Sequence, residues 1–230
     1  MKCAILIAIH NNAPTLERTL ESLRSQTFQD FRIVAIDDAS SDATATVLKK
    51  WQGKLGEDRF TLVTNPTNLG LTRSLNLGLE HINELYTARI DADDWWHPTK
   101  LTKQVDFLDT HTDYGIVGTW YENHGRHGVK PITLPETDSA IRASIFKRNP
   151  FAHSAVVFRT EIIRQSGLYN PNWRYGQDYE LWLRLLPSTK MANIPEFLCY
   201  RMADDTLTAR KQREQMLLCV KTQLHYLKLY

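Results

Sequence analysis

Three short β-prone runs, each stopped abruptly by polar residues, constrain the fold of this chain more than any other sequence feature. They are residues 4–9 (AILIAI), 31–36 (FRIVAI) and 87–90 (TARI), and segments with the apolar spacing of amphipathic helices lie between them. Continuous apolar runs are typical of strands buried on both faces. Strands that alternate with helices predict a parallel sheet with right-handed crossovers, so the predicted class is α/β with helices on both faces.

The residues that end these three runs are all polar. Residues 10–12 (HNN) follow the first run, 37–42 (DDASSD) the second and 91–94 (DADD) the third. The carboxyl ends of parallel strands meet at one edge of a sheet, and ligands of open α/β sheets bind there. The sequence therefore predicts one polar rim as the binding site.

The second half of the chain is less regular. Its patterns predict helices over 100–110 and 179–186, strands over 115–121, 154–158 and 197–202, and a polar loop over 125–135. We interpret this half as a mixed continuation of the same sheet, in a single domain spanning 1–230. A C-terminal amphipathic helix over about 206–230 would carry Leu217, Val220, Leu224 and Leu227 on one stripe. It either packs on the domain or docks on an anionic membrane surface or a partner protein.

Charge and composition exclude several classes of protein. Lys and Arg number 28 against 26 Asp and Glu, and a net charge of +2 gives no basic field for nucleic acid. No apolar stretch reaches the ~18 residues of a membrane span, so we expect a soluble, cytoplasmic protein. Cys3, Cys199 and Cys219 are scattered, which favours reduced thiols over disulfides or zinc ligation.

Asp91 and Asp93 form a D-x-D pair. In an extended segment this spacing directs both carboxylates to one face and turns Asp94 away. Two such anions repel each other, and a hard divalent cation such as Mg²⁺ or Mn²⁺ removes the repulsion, with phosphate oxygens completing its shell. The alternative is an Asp-rich turn that caps the helix beginning near Pro98.

Asp38 ends the second run, where an acidic side chain can accept hydrogen bonds from a ribose or a base. The alternative is a solvated turn residue. Residues 10–14 contain no glycine, so no phosphate-cradling loop follows the first strand, which argues against a Rossmann dehydrogenase or a P-loop enzyme. Phosphates at this rim would then be neutralised by a metal ion.

The motifs along the chain together resemble those of family 2 glycosyltransferases, in the right order from about residue 3 to 203. These are inverting enzymes with the GT-A fold, and this chain is similar to those of bacterial surface-polysaccharide assembly. The resemblance rests on AILIAIHNN, QTF at 26–28, FRIVAIDDASSDAT, NLG at 68–70 with LN at 75–76, ARIDADDWWHP and QDYELW at 177–182.

The resemblance implies donor-binding roles for residues of the first half. His10, which stands where the family often has Tyr, would lie against the nucleobase, and Asp38 would bind the base or ribose. Asn68 and Arg73 fall in the donor-side helix region. Residues 1–95 would form the nucleotide-sugar-binding half.

The resemblance also implies the metal and catalytic residues. Asp91 and Asp93 would form the metal-binding DxD, with Asp93 in direct contact with the ion and Asp91 facing the ribose. Asp178 matches the family's general base, although Gln177 replaces a frequent Glu before it. Its position at the head of an apolar helix is equally consistent with a helix cap. Residues 96–205 would form the acceptor half.

The implied substrates are a nucleotide-diphosphate sugar, on family grounds a UDP-sugar, and a saccharide or lipid-linked saccharide acceptor. The implied location is the cytoplasm, at the inner face of the membrane if the C-terminal helix docks there. Two alternatives stay open: a sugar-nucleotide-forming nucleotidyltransferase, and a non-catalytic nucleotide-sugar-binding protein. Trp95, Trp96, Trp173 and Tyr175 are candidates for stacking on sugars, Trp51 and Trp182 for the core, and His153 for either a structural role or a contact with diphosphate, metal or acceptor.

Overall fold

The computed structural model describes residues 1–173, 175–203 and 220–226. Its strands are β1 (Cys3–Ile9), β2 (Phe31–Asp37), β3 (Phe60–Thr64), β4 (Tyr86–Arg89), β5 (Trp95–Trp96), β6 (Tyr114–Gly125), β7 (Gly128–Ile132), β8 (Val157–Arg159) and β9 (Lys190–Met202). Its helices are α1 (Ala13–Arg24), α2 (Thr44–Leu55), α3 (Leu71–Glu80), α4 (Lys100–Thr110), α5 (Asp138–Ser144), α6 (Thr160–Gln165) and α7 (Gln177–Leu185), and His153–Ala155 form a 3₁₀ turn. The strands join in one sheet in the order β3-β2-β1-β4-β8-β6-β9-β5, with β7 paired to β6.

The first half of the sheet is parallel, as the strand–helix alternation predicts. β1 pairs in parallel with β2 on one side and β4 on the other, and β3 pairs in parallel with β2. The register sets Ile9 beside Asp37, so the polar segments after β1 and β2 begin at the same level. The predicted rim therefore exists at the carboxyl ends of these strands.

Each face of the sheet is covered by its own apolar core. Leucines of α1 and Trp51 of α2 pack on the face to which Ile5 and Ile7 of β1 point. Leu75 and Leu79 of α3, together with α7, pack on the opposite face against Leu6. Because successive strand residues point to opposite faces, the apolar run of β1 supplies both cores. The prediction of helices on both faces is confirmed.

The second half is mixed, with β8 antiparallel to β4 and β6, β9 parallel to β6, and β5 antiparallel to β9. The polar loop expected over 125–135 is wrong in part, because β6 continues to Gly125 and turns back into β7. Gly128, at φ +109°, adopts a conformation that L side chains avoid and closes this tight hairpin. The segment was expected to be a loop because its residues are polar, but polar residues also suit a two-stranded ribbon such as this one, in which β7 is largely exposed.

Only part of the predicted C-terminal helix lies within the described residues. Residues 220–226 are helical, but Val220 and Leu224 of the expected apolar stripe are exposed. The helix instead packs through Thr222, which accepts a hydrogen bond from Trp173 Nε1 (2.7 Å), and through Tyr226. Leu217 and Leu227 lie outside the described residues. For the described part, apolar spacing therefore predicted the wrong packing face.

In the described part of the chain, no helix combines the length and apolarity that crossing a bilayer requires. Cys3 and Cys199 are buried and free, as expected for reduced thiols, and burial raises the pKa of both. Cys219 lies outside the described residues.

Candidate active site

A cavity of about 540 Å³ opens at the carboxyl ends of β1, β2 and β4, and the end of β9 forms its far wall. Four of the residues singled out from sequence, His10, Asp38, Asp91 and Asp93, come together in its lining. The remaining lining residues are Ala8, Ile9, Asn12, Leu71, Ser74, Ala92, Asp94, Tyr175, Arg201 and Met202. The three polar segments that follow β1, β2 and β4 thus line one cavity.

His10 stands exposed at the mouth of this cavity. Its Nδ1–H donates to the carbonyl oxygen of Asp38 (2.8 Å), and Asn11 Nδ2 donates to its Nε2 (3.1 Å). Asn11 itself has φ +55°, in the left-handed region that Asn tolerates better than most residues. The loops after β1 and β2 are therefore joined through the imidazole, and the ring is fixed at the pocket mouth.

Asp38 is buried, and its carboxylate accepts three hydrogen bonds, which involve both oxygens. Oδ1 accepts from Asn65 Nδ2 (2.7 Å) and from the amide of Leu69 (2.8 Å). Oδ2 accepts from the amide of Gly70 (2.9 Å), whose φ of +84° turns the chain into α3. Burial alone would raise the pKa of Asp38, but these hydrogen bonds hold it below its usual value. Asp38 is thus a fixed anion that ties the 65–70 loop to the rim.

Asn68 and Arg73 are exposed and do not line the cavity. Asn65, which the sequence analysis did not select, is the buried amide of this region. It donates both to Asp38 and to Ser74 Oγ (3.0 Å). Its place directly after β3, at the same rim, was the available signal.

Residues 91–94 form a turn, so the expected extended segment is wrong. The amide of Asp94 reaches back to the carbonyl oxygen of Asp91 (3.3 Å). Asp94 does not turn away from the site; it is buried, lines the cavity and accepts from the amide of Met202 (3.1 Å). All three aspartates of the DADD segment therefore line one cavity, and the turn brings Asp94 against the end of β9.

The three carboxyls have different charge environments. Burial would raise the pKa of Asp91, but the guanidinium of Arg89 holds it well below its usual range. Burial, followed by the negative charge of Asp91, raises the pKa of Asp93. The same two causes raise the pKa of Asp94, which faces Arg201 at 3.8 Å. Ionisation is thus favoured at Asp91 and disfavoured at Asp93 and Asp94.

Arg201 is the cationic side chain of the lining, and the sequence analysis missed it. It lies near the end of β9, stacks on the Tyr121 ring (5.2 Å to the centroid) and points its guanidinium toward Asp94. An arginine at this position suits planar, bidentate contact with phosphate oxygens. Its strand was predicted, but nothing in sequence spacing shows that β9 ends beside the DADD turn.

Asp178 lies in the first turn of α7 and is half-buried. Its Oδ2 accepts a hydrogen bond from Asn149 Nδ2 (2.8 Å). Burial raises the pKa of Asp178, and the Asn149 hydrogen bond offsets part of that rise. Asp178 is outside the cavity lining, whereas Tyr175, three residues earlier, is within it. The carboxyl therefore lies three residues from a lining residue, and its pKa is raised.

His153 is held by Tyr169. Its Nε2 is hydrogen-bonded to the hydroxyl of Tyr169 (2.8 Å), and burial, followed by the charge of Arg89, holds its pKa well below the usual value. Tyr169 is within electrostatic reach of both Asp178 and Asp91. His153 is thus a neutral, satisfied side chain between the DADD turn and α7.

The aromatic candidates separate into core and rim. Trp51 and Trp182 are fully buried, as predicted. Trp96 is only 2% exposed and donates to Ser154 O (2.7 Å), so its sugar-stacking role is wrong: the second residue of β5 points into the core. Trp95 is half-buried under the Arg18 guanidinium (3.8 Å to the centroid), and Tyr175 lines the cavity. The indole N–H of Trp173 is occupied by Thr222.

The chemistry of the carboxylates fits a divalent cation without enclosing it. Within residues 1–173, 175–203 and 220–226, no three His, Cys, Asp or Glu side chains converge as a metal-binding group. The negative charge of Asp91 nevertheless contributes to the raised pKa of Asp93, and a bound cation would offset this repulsion between the two carboxylates. Oxygen ligands from one or two carboxylates, completed by phosphate and water, are the usual environment of Mg²⁺.

Comparison with known proteins gives the family of this fold and site. The model of glycosyl transferase family 2 matches residues 4–168, from β1 to the end of α6. The chain belongs to glycosyl transferase family 2. This glycosyltransferase is 32% identical to the putative glycosyltransferase EpsE of Bacillus subtilis over 212 residues, covering 89% of this chain and 74% of that protein.

Two further relatives are similar to this glycosyltransferase over most of their length. It is 31% identical to the amylovoran biosynthesis glycosyltransferase AmsE of Erwinia amylovora, covering 98% of this chain and 85% of that protein. It is 26% identical to WfaP of Escherichia coli, a UDP-Glc:α-D-GlcNAc-diphosphoundecaprenol β-1,3-glucosyltransferase, covering 92% and 81%.

Solved structures show that this glycosyltransferase has the GT-A fold. The Staphylococcus aureus TarS 1–349 complex with UDP-GlcNAc superimposes with a TM-score of 0.79 at 18% identity, covering 98% of this chain and 69% of that one. The mannosyltransferase PcManGT of Pyrobaculum calidifontis, in complex with GDP-Man and Mn²⁺, superimposes with a TM-score of 0.72 at 17% identity, covering 99% and 74%. The expected family and fold are confirmed.

Proposed function

We propose that this glycosyltransferase moves a sugar, with inversion, from a UDP-sugar to a hydroxyl of a saccharide or lipid-linked saccharide during bacterial surface-polysaccharide assembly. The observation that carries the proposal is the rim cavity, in which polar side chains of the loop after β1 meet the carboxylates of the loops after β2 and β4. Family membership supplies the reaction class, the TarS complex with UDP-GlcNAc supports the donor, and the relatives AmsE and WfaP support the acceptor class.

In this proposal the first half of the chain, to about residue 95, holds the donor. The exposed ring of His10 lies against the base, and Asp38 fixes the loops around base and ribose. Arg201 supplies positive charge to the diphosphate, since it is a cationic side chain that lines the cavity. Asn68 and Arg73 are exposed outside this lining, so we assign them only secondary contacts with the donor.

Asp93, with Asp91 beside it, would hold the divalent cation, Mn²⁺ or Mg²⁺. A bound cation stabilises the negative charge of the leaving nucleoside diphosphate. The complex of PcManGT with Mn²⁺ supports this assignment for the same fold. Removal of divalent cations with a chelator is expected to abolish transfer.

Asp178 is the proposed general base on the acceptor side, residues 96–205. It takes the proton of the acceptor hydroxyl as that oxygen attacks the anomeric carbon of the donor sugar. The bond from that carbon to the diphosphate oxygen breaks, and the electron pair leaves with the nucleoside diphosphate. Attack opposite the leaving group inverts the configuration. A raised pKa suits this role, because a base is most effective when its pKa is close to the working pH.

The proposal includes contact with the inner face of the cell membrane through the C-terminal helix. Val220 and Leu224 are exposed on it with Lys221 between them, a combination that suits an anionic bilayer surface. Leu224→Asp is expected to reduce co-sedimentation with anionic vesicles and to leave UDP binding intact. Equal sedimentation of both proteins would contradict the membrane contact.

The central test is thermal unfolding in the presence of nucleotide sugars, with and without Mn²⁺. A ligand that binds only the folded state at 100 times its Kd stabilises it by about 2.7 kcal/mol. We expect a UDP-sugar to raise Tm only when Mn²⁺ is present, and Asp93→Asn to remove this effect. If no nucleotide sugar stabilises the protein, the proposal fails. Release of pyrophosphate from a nucleoside triphosphate and a sugar phosphate would indicate a nucleotidyltransferase instead.

A further inference from the structure

Arg89 is a fully buried cation immediately before the DADD turn. It is the last residue of β4 and is 0% exposed, although arginine is rarely found in a protein interior without a partner. Its Nη2 donates to Asp91 Oδ1, and its Nη1 donates to Ser154 Oγ (3.2 Å). Its Nε has no hydrogen-bond partner among the described residues. The guanidinium is therefore held in place by Asp91 and Ser154.

Ser154 completes the grip on Asp91. Its hydroxyl donates to Asp91 Oδ2 (3.0 Å) and accepts from the backbone amide of Asp91 (3.0 Å). With the hydrogen bond from Arg89, this uses the one proton and both lone pairs of the hydroxyl. Both oxygens of Asp91 thus have a donor from the protein, and the carboxylate is fixed at both ends.

The carboxylate of Asp93 has a different hydrogen-bonding environment from that of Asp91. Its carboxylate receives no side-chain hydrogen bond from the described residues, and the nearby Arg18 donates to its backbone carbonyl (2.9 Å) instead. The side chain of Asp91 is 35% exposed, so its free edge still reaches the cavity. The D-x-D pair therefore consists of one carboxylate paired with a buried cation and held at both oxygens, and one with no side-chain partner among the described residues.

From this asymmetry we propose that Arg89 is a positioning residue which, with Ser154, reserves Asp91 for the donor and leaves Asp93 to hold the divalent cation. The inference deepens the proposed function and rests on it. Arg89 removes one negative charge from the pair, which weakens cation binding until a diphosphate adds its own. Ser154 fixes the direction in which Asp91 presents its free edge to the donor.

The test measures Mn²⁺ binding directly, by titration followed by electron paramagnetic resonance, with and without UDP. Arg89→Met uncovers the second carboxylate, and one added unit charge at this range is expected to tighten Mn²⁺ binding without UDP by about tenfold. Arg89→Lys keeps the positive charge but cannot donate from two fixed nitrogens to both Asp91 and Ser154. It should bind Mn²⁺ like the wild type and raise the KM for the sugar donor.

A matched control removes another partly buried arginine–carboxylate pair far from the rim. Arg32, near the amino end of β2, pairs with Glu84. Arg32→Met should lower Tm and leave Mn²⁺ affinity unchanged. Mn²⁺ affinity of Arg89→Met within twofold of the wild type would overturn the inference.

If Arg89→Met does not unfold cooperatively, Ser154→Ala decides the question. It keeps the cation and removes the hydroxyl, so we expect kcat/KM to fall about tenfold while Mn²⁺ affinity without UDP stays unchanged. Undiminished kcat/KM in this variant would overturn the inference. A wild-type protein that binds neither Mn²⁺ nor UDP would instead contradict the proposed function itself.

Discussion

Two aspartates, Asp38 after strand β2 and Asp178 in the first turn of helix α7, have different hydrogen-bonding environments. Asp38 in the parallel half accepts three hydrogen bonds, two of them from the backbone amides of Leu69 and Gly70. Asp178 in the mixed half accepts one side-chain hydrogen bond, from Asn149. Burial raises the pKa of both carboxyls, but only Asp38 has enough donors for its pKa to fall below the usual value. The balance between burial and hydrogen-bond donors therefore separates the two carboxyls: the donors outweigh burial at Asp38, and burial outweighs the donors at Asp178.

The largest expected effect in this comparison is that of Asp178→Asn. The amide is nearly the same size but cannot accept the acceptor proton, so kcat is expected to fall about 10³-fold if Asp178 is the general base. Donor binding should remain, because Asp178 is outside the cavity lining. Transfer by purified enzyme and UDP-sugar binding by calorimetry measure the two effects separately.

Asp58→Asn is a control for the loss of a carboxylate, since Asp58 is exposed in the turn before β3. It should change neither transfer nor donor binding. The cap of α7 is Gly176, so the helix-cap alternative for Asp178 is wrong. If Asp178→Asn retains more than a tenth of wild-type transfer, the base lies elsewhere.

The two halves also differ in how far sequence reasoning reached. The parallel half, its rim and the meeting of His10, Asp38, Asp91 and Asp93 followed from strand order, because in a parallel sheet every strand ends at a shared edge. Arg89 and Ser154 were missed, since they meet across an antiparallel pairing of β4 and β8 that no spacing encodes.

Two predictions about which side of an element is buried were wrong. Trp96 was assigned to the rim although it is in the core, because a two-residue strand is too short to show which side faces inward. Val220 and Leu224 formed a convincing apolar stripe, yet the helix packs through polar contacts to Trp173 and Glu180. Such contacts depend on residues tens of positions apart, and periodicity has no access to them.

The second prediction concerns the donor-side anion. Asp38→Ala removes the acceptor of the buried Asn65 amide and of the Leu69 and Gly70 backbone amides, and a buried unsatisfied donor costs about 1–3 kcal/mol. We expect the free energy of unfolding to fall by about 2–3 kcal/mol in urea titrations at pH 7. Asp58→Ala should change it by less than about 0.5 kcal/mol. Equal stability of the two variants would show that the 65–70 loop does not depend on Asp38.

The pH dependence of this effect has a definite sign. The pKa of Asp38 is lower in the folded protein than in the unfolded chain, so its contribution is complete above the unfolded value of about 4. The contribution is lost as pH falls through the lower, folded pKa. The difference between wild type and Asp38→Ala should therefore shrink on acidification and stay constant from pH 6 to 8.

The smallest expected effect comes from removing Asn149, which donates a hydrogen bond to Asp178, the proposed general base. Asn149→Ala deletes the hydrogen bond that lowers the pKa of Asp178, so the pKa rises and the acid limb of the kcat profile moves to higher pH. On the acid limb, below the pKa of Asp178, we expect kcat to fall about fivefold, the equivalent of one hydrogen bond of about 1 kcal/mol. Asn172→Ala, in the exposed part of the preceding loop, is the matched control and should keep the wild-type profile. A loss that disappears at high pH indicates that Asn149 acts by tuning the base. A loss that is constant at every pH would mean that Asn149 only positions Asp178, and the contrast with Asp38 would then be geometric and not electrostatic.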